Sequence, residues 1–223
     1  MPRTNKLIRL LSLVTRHFHL VTLNPMRGII FDLDGTLVDS RLDFEAIRHD
    51  MGLASGSPIL ETMGNIAPGP ELDRMQEVLH QHELKAAHGA TLFAGVLELL
   101  QWIDEIPIPK AILTRNSRIC TDLVTSRLNL RFSHVLTRED AVPKPDPAGL
   151  LAICRHWELA PAEVVFCGDY LFDLEAGRRA GMRTILFAPG NLPEFADQAD
   201  LVLRAYHTAI EQIQGAFFNG RVP

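Results

Sequence analysis

Short continuous apolar runs alternate along this chain with longer stretches in which apolar residues recur at helical spacing. The runs are clearest at Gly28-Ile29-Ile30-Phe31, Ala111-Ile112-Leu113 and Val164-Val165-Phe166-Cys167. Runs of this length, closed by turn residues, read as strands buried on both faces. Strands are expected near 28–32, 109–113, 134–137, 163–168 and 183–187. Helices are expected near 94–105, 117–129, 146–158, 171–180 and 206–215. Gly181 supplies a helix stop, and Ile106-Pro107 breaks the helix before the second strand. The alternation predicts an α/β fold, a Rossmann-like parallel sheet with helices on both faces.

The interval between the first two strands is much longer than one crossover helix. Residues of about 40 to 90 read as helices near 42–51, 58–63 and 71–87, punctuated at Gly52, Gly56-Ser57-Pro58 and Pro68-Gly69-Pro70. Leu72, Met75, Val78 and Leu79 stand at helical spacing among Glu71, Asp73, Arg74 and Glu77. The expected organisation is therefore an extension over residues 1–26, an α/β core over 27–40 and 90–223, and an all-helical insertion over 41–89. The first 27 residues contain Arg3, Lys6, Arg9, Arg16 and Arg27 and no acidic residue. Leu10 to Val14 is too short for a convincing signal peptide, and no small-x-small cleavage site follows. The extension is expected to lie outside the core, with Met26 just before the first strand.

The first run ends in Asp32-Leu33-Asp34-Gly35-Thr36. Two carboxylates thus stand at the carboxyl end of a buried strand, where open α/β sheets place ligands. Like charges that close need a cation or a proton between them. The pattern points to a divalent metal with acid–base chemistry rather than to an acidic turn. Composition narrows the classes further. Hydrophobic residues make up 47% of the chain and charged ones 22%, as in ordinary globular proteins. A net charge of −5 gives no reason to expect nucleic-acid binding. Cys120, Cys154 and Cys167 have no paired spacing and read as core residues of a protein from a reducing compartment, expected to be cytoplasmic. No run of 18 apolar residues suggests a membrane span.

Asp32-Leu33-Asp34-Gly35-Thr36-Leu37-Val38-Asp39-Ser40 resembles the first motif of the haloacid dehalogenase superfamily. Three further segments follow in the order of that family's motifs. Ala111-Ile112-Leu113-Thr114-Arg115-Asn116 resembles the second, Lys144 within Val142-Pro143-Lys144-Pro145 the third, and Phe166-Cys167-Gly168-Asp169-Tyr170-Leu171-Phe172-Asp173 the fourth. The insertion resembles the helical cap of phosphoglycolate-phosphatase-like members. The resemblance implies a central first strand flanked by the second and fourth motif strands.

It also implies roles. Asp32 would be the nucleophile and Asp34 the general acid–base. Mg²⁺ would be held by Asp32, the main-chain carbonyl of Asp34, Asp169 and Asp173, an all-oxygen set. Thr114, Arg115 and Lys144 would bind the phosphoryl group. Arg41 and Arg48 open the insertion and are candidate readers of a second anionic group, unless they are ordinary surface residues. The function so implied is a Mg²⁺-dependent phosphatase acting on a small phosphorylated metabolite through an aspartyl-phosphate. A phosphomutase would carry the same motifs. A non-catalytic binding module on the same scaffold is expected to lose a carboxylate, and none is missing. Metal-free dehalogenase chemistry is opposed by Asp34, Asp169 and Asp173.

Overall fold

The computed structural model describes residues 25–218. The expected extension over residues 1–26 lies almost wholly outside the described residues. The core is a six-stranded parallel sheet. In chain order its strands are β1 (Gly28–Phe31), β4 (Lys110–Leu113), β5 (His134–Leu136), β6 (Val164–Gly168), β7 (Arg183–Phe187) and β8 (Leu201–Leu203), arranged in space as β5-β4-β1-β6-β7-β8. The first strand is central, with Ile30 opposite Ala111 on one side and Phe166 on the other.

Every residue of β1, β4, β6 and β7 is buried. That is why β1 and β6 are continuous apolar runs and not alternating ones, while β4 and β7 become so after Lys110 and after Arg183-Thr184. Successive side chains point to opposite faces. Ile29 and Phe31 enter one core with Ile112, Val165, Cys167, Ile185 and Phe187, while Ile30 enters the other with Ala111, Leu113, Val164 and Phe166. Helices α4 (Val96–Glu105), α5 (Arg118–Arg127) and α8 (Ala209–Phe217) cover the first face through Val96, Leu99, Ile103, Cys120, Val124 and Ile213. Helices α6 (Ala148–Trp157) and α7 (Leu171–Ala180) cover the second through Leu150, Ile153, Cys154, Ala176 and Ala180. The α/β architecture is the one expected.

Two details differ. Strand β8, Leu201-Val202-Leu203, is not among the expected strands. Residues 206–208 form a 3₁₀ turn, so the last α-helix begins at Ala209.

Between β1 and β4 the chain forms α1 (Phe44–Met51), α2 (Ile59–Gly64) and α3 (Pro70–Gly89). Asp43 caps α1 by accepting a bond from the Ala46 N–H at 2.9 Å. Pro70 starts α3, where its missing N–H costs nothing. These helices share a small core of Ile47, Met51, Ile59, Met63, Met75 and Leu79. The chain leaves and re-enters the sheet layer through a two-stranded antiparallel ladder, β2 (Val38–Asp39) against β3 (Thr91–Leu92), with Val38 opposite Leu92. Helix α3 also packs on α5. No helix among the described residues is long and apolar enough to cross a membrane. All three cysteines are free and buried.

Candidate active site

Parallel strands present their carboxyl ends on one edge of the sheet, so β1, β4 and β6 bring Asp32, Thr114 and Asp169 together there. Asp32 is buried, and its N–H donates to the Cys167 carbonyl on β6 at 2.8 Å. Asp34 follows within a tight turn in which the N–H groups of Leu37 and Val38 both donate to the Leu33 carbonyl. Gly35 permits that turn with φ +80°, a conformation side chains rarely adopt. It also makes room: a Cβ at Gly35 would lie 2.3 Å from Asp169 Oδ2. Gly168 does the same for Asp173, since a Cβ there would meet the Asp173 side chain at 2.3 Å.

Asp173 lies in the first turn of α7. Its Oδ2 accepts from the Tyr170 N–H at 3.0 Å, so the carboxylate closes the helix N-terminus. One carboxylate oxygen each from Asp32, Asp169 and Asp173 falls within 4.8 Å of the others. Lys144 is buried and bridges two of them, with Nζ 2.5 Å from Asp32 Oδ1 and 2.6 Å from Asp173 Oδ1. Thr36 donates to Asp169 Oδ1 at 3.2 Å, and the Tyr206 hydroxyl in turn donates to the Thr36 carbonyl at 3.0 Å.

The electrostatics follow from this crowding. Burial, then the neighbouring carboxylates Asp173 and Asp34, push Asp32 up to about 7 against the pull of Lys144. Burial, Asp32 and Asp173 hold Asp169 well above the usual carboxylate range. Burial raises Asp34 as well, opposed by hydrogen bonds from Asn116 and Ser40. Burial works against the charge on Lys144, but Asp173 and Asp32 outweigh it and hold the ammonium above the usual lysine range. The donor set is three carboxylates with no nitrogen or sulfur ligand. It fits a hard divalent cation of the Mg²⁺ or Ca²⁺ kind better than Zn²⁺ or copper.

Thr114 is buried at the end of β4, and its Oγ1 accepts from the Asn116 N–H at 3.1 Å. Arg115, expected to bind the phosphoryl group, lines the cleft beside Thr114. Its Nη1 donates to the Lys144 carbonyl, its Nη2 holds both Glu61 oxygens at 2.8 and 3.0 Å, and the guanidinium lies over the Phe172 ring. Arg41 and Arg48 both line the cleft. Arg41 Nε is 3.4 Å from Asp39 Oδ2, and Arg48 Nη1 is 2.7 Å from Glu45 Oε1.

The pattern along the chain did not point to two other participants. Asn116 Nδ2 donates to Asp34 Oδ2 at 2.9 Å, while its Oδ1 accepts from the Ser117 N–H at 2.8 Å. Glu83 is buried on α3, lines the cleft and pairs with Arg138 of the core, whose Nη2 is 3.0 Å from Oε2. Glu83 occupies the i+4 continuation of Met75 and Leu79, and an acid on an apolar stripe was the available signal.

Residues 43–187 match the family described as haloacid dehalogenase-like hydrolase. The N-acetylmuramic acid 6-phosphate phosphatase of Pseudomonas putida is 33% identical over 181 residues, covering 71% of this chain and 81% of that protein. The phosphoglycolate phosphatase of Pseudomonas fluorescens is 28% identical, covering 71% of this chain and 68% of that protein. Among solved structures, a hydrolase from Pseudomonas syringae superposes with a TM-score of 0.70 at 22% identity, covering 86% of this chain and 99% of that one.

Proposed function

The chain belongs to the haloacid dehalogenase-like hydrolase family, as a phosphoglycolate-phosphatase-like phosphoric monoester hydrolase, and on that premise we propose that it is a Mg²⁺-dependent phosphatase of a small phosphorylated metabolite, acting through an aspartyl-phosphate on Asp32. One observation carries the reading. A buried aspartate at the end of the central strand meets a buried lysine and two further carboxylates, with a second aspartate two residues on in the same cleft.

A Mg²⁺ ion would be held by Asp32, Asp169, Asp173 and the main-chain carbonyl of Asp34. When bound it neutralises charge on the transferring phosphoryl oxygens. The other steps belong to this chain's residues. Lys144 and the Thr114 hydroxyl face the cleft as donors to the phosphoryl oxygens. A carboxylate oxygen of Asp32 attacks phosphorus, and the bond from phosphorus to the leaving oxygen breaks. Asp34, held above the usual carboxylate range by burial, gives its proton to that leaving oxygen. Asp34 then takes a proton from a water, which attacks the aspartyl-phosphate. The bond between phosphorus and the Asp32 oxygen breaks, phosphate leaves, and both carboxyl groups return to their starting states. Arg115 works at one remove, holding the Lys144 main chain and the Glu61 side chain of α2. The insertion over 41–89, a domain in this reading, supplies the wall of the cleft that faces the leaving group and excludes water from it.

The test is phosphate release from a panel of phosphomonoesters, with Mg²⁺ and again in excess chelator, alongside rapid-quench mass spectrometry of the protein. Phosphate released only with Mg²⁺ and a transient phosphoryl group on Asp32 are expected. Interconversion of sugar phosphates without phosphate release would establish a mutase instead.

A further inference from the structure

Arg115 follows Thr114, and its guanidinium meets three separate segments of the chain. Nη1 donates to the main-chain carbonyl of Lys144. Nη2 donates to Glu61 on α2, 2.8 and 3.0 Å from the two carboxylate oxygens. The plane lies over the Phe172 ring, 4.8 Å from its centre, and Phe172 precedes Asp173. The root of the side chain is held as well. The Thr114 N–H donates to the Leu136 carbonyl on β5 at 3.0 Å, and the Arg115 carbonyl accepts from Arg138 Nη1 at 3.4 Å. Arg138 is itself the partner of buried Glu83 on α3. Two helices of the insertion are thus tied to the loop after β4, and the ties are unequal. The Glu83 side chain is 4% exposed, that of Glu61 40%.

We propose that Arg115 is a positioning residue for Lys144 and that Glu61 sets it, so that the lysine is aligned for the phosphoryl group while α2 is seated over the cleft. The inference rests on the phosphatase reading above and concerns how the insertion acts on that site. A guanidinium is planar and rigid, so fixing one nitrogen sets the direction of the others. Glu61 fixes Nη2, and Nη1 then points at the Lys144 carbonyl. Without Glu61, one hydrogen bond and one ring contact must hold a side chain that has many rotamers to regain. Lys144 needs the support. Its ammonium ends a flexible four-carbon stem and stands 2.5 Å from Asp32 Oδ1 and 2.6 Å from Asp173 Oδ1. A shift of its main chain is carried to the donor that meets the phosphoryl oxygens, and a misplacement of about 1 Å can cost about 10²-fold in rate. Glu61 is not one of the residues lining the cleft. Its ion pair is with Arg115, which is its route to the chemistry.

The test uses the full-length protein with Mg²⁺ and two esters of similar shape, p-nitrophenyl phosphate and phenyl phosphate, which differ in the acidity of the leaving group. The variants are Glu61→Gln, Arg115→Lys and the two together. Glu61→Gln is expected to lower kcat about tenfold, a part of that misplacement cost, with KM within about twofold of the parent. The factor should be the same for both esters, because Lys144 serves the phosphoryl oxygens and not the leaving oxygen. The melting temperature should stay near parental, since a partly exposed ion pair contributes little to stability. Arg115→Lys keeps the charge and loses the planar fork. It should lower kcat by a similar factor, and the double variant no further than the lower single one. A parental kcat in Glu61→Gln would overturn the inference: a loss confined to Arg115→Lys would make Arg115 a direct phosphoryl ligand, and a lower melting temperature alone would make the pair structural. Losses that multiply in the double variant, a rise in KM alone, or a loss confined to one ester would overturn it too. All of these leave the phosphatase reading standing. Release from neither ester by the parent protein would overturn that reading, and this inference with it.

Discussion

Asn116 Nδ2 donates to Asp34 Oδ2 at 2.9 Å, joining two residues 82 positions apart. The Asn116 amide cannot turn freely, because its Oδ1 is held by the Ser117 N–H at the start of α5. Asp34 is thereby given a fixed direction, and part of its burial-driven rise is offset. If Asp34 is the proton carrier, Asn116→Ala should lower kcat by about tenfold, a fraction of the general acid–base factor of 10²–10⁴. It should also move the acid-dependent limb of the pH–rate profile upward. Substrates with good leaving groups should lose less. A uniform loss with no movement of the profile would assign Asn116 a purely structural part.

Asp32→Asn is expected to remove turnover and leave the melting temperature near or above that of the parent. Asn keeps the volume, is a far poorer nucleophile, and adds no charge to a crowded site. Circular dichroism and phosphate release on the same sample check both halves. Near-parental phosphate release would exclude Asp32 as the nucleophile.

Metal binding should depend on pH in a defined direction. Asp32 sits at about 7 and Asp169 above the usual range, so a cation must displace protons from them. A carboxyl raised in the folded protein binds more protons there than in the unfolded chain. Its contribution to stability is present at low pH and lost as pH rises through about 7. Mg²⁺ restores what is lost once the protons are gone. The rise in melting temperature on adding Mg²⁺ should therefore be larger at pH 8 than at pH 6, and calorimetry should show proton release near pH 6. A rise independent of pH would count against these carboxylates as the ligands.

Gly35→Ala should damage the metal site before the fold. The new methyl would stand 2.3 Å from Asp169 Oδ2, on a backbone at φ +80°. Relief requires the Asp169 carboxylate to shift from its place beside Asp32 and Asp173. A higher Mg²⁺ concentration for half-maximal activity is expected, with a modest loss of thermal stability of about 1 kcal/mol or more from the backbone alone. Activity at unchanged Mg²⁺ requirement would contradict the placement of Asp169 among the ligands.

Glu83→Gln tests the bond between α3 and the core. Glu83 is buried, raised by that burial and opposed by Arg138. Removing one partner of such a pair costs about 3–5 kcal/mol when both are buried, and Arg138 is partly exposed, so the lower end applies. At about 2–4 °C per kcal/mol for a domain of this size, a melting temperature lower by several degrees is expected. Pairing it with Arg138→Met should recover much of the loss.

What the chain pattern reveals and what it conceals divide along a physical line. Gly28–Phe31, Lys110–Leu113 and Val164–Gly168 are legible because strands buried on both faces need uninterrupted apolar residues. Asp32, Thr114 and Asp169 are legible as a group because each follows such a strand. The two-residue ladder at Val38–Asp39 and Thr91–Leu92 carries no periodicity at all. Asn116, and the pairs of Glu61 with Arg115 and Glu83 with Arg138, depend on the docking of distant elements. An arginine in isolation gives no sign of its partners, so the contacts of Arg41 with Asp39, Arg48 with Glu45 and Arg115 with Glu61 are not readable from the chain.

That short ladder has a consequence for how such a protein can change over generations. Residues 38–39 and 91–92 are hydrogen-bonded neighbours, so the chain enters and leaves the three helices at one point. The order of the six strands, and the register that sets Phe31 opposite Cys167, are made wholly by residues outside α1, α2 and α3. Variation in what the cleft admits is thereby insulated from the groups at the strand ends. Taste can drift while the chemistry stays where it is.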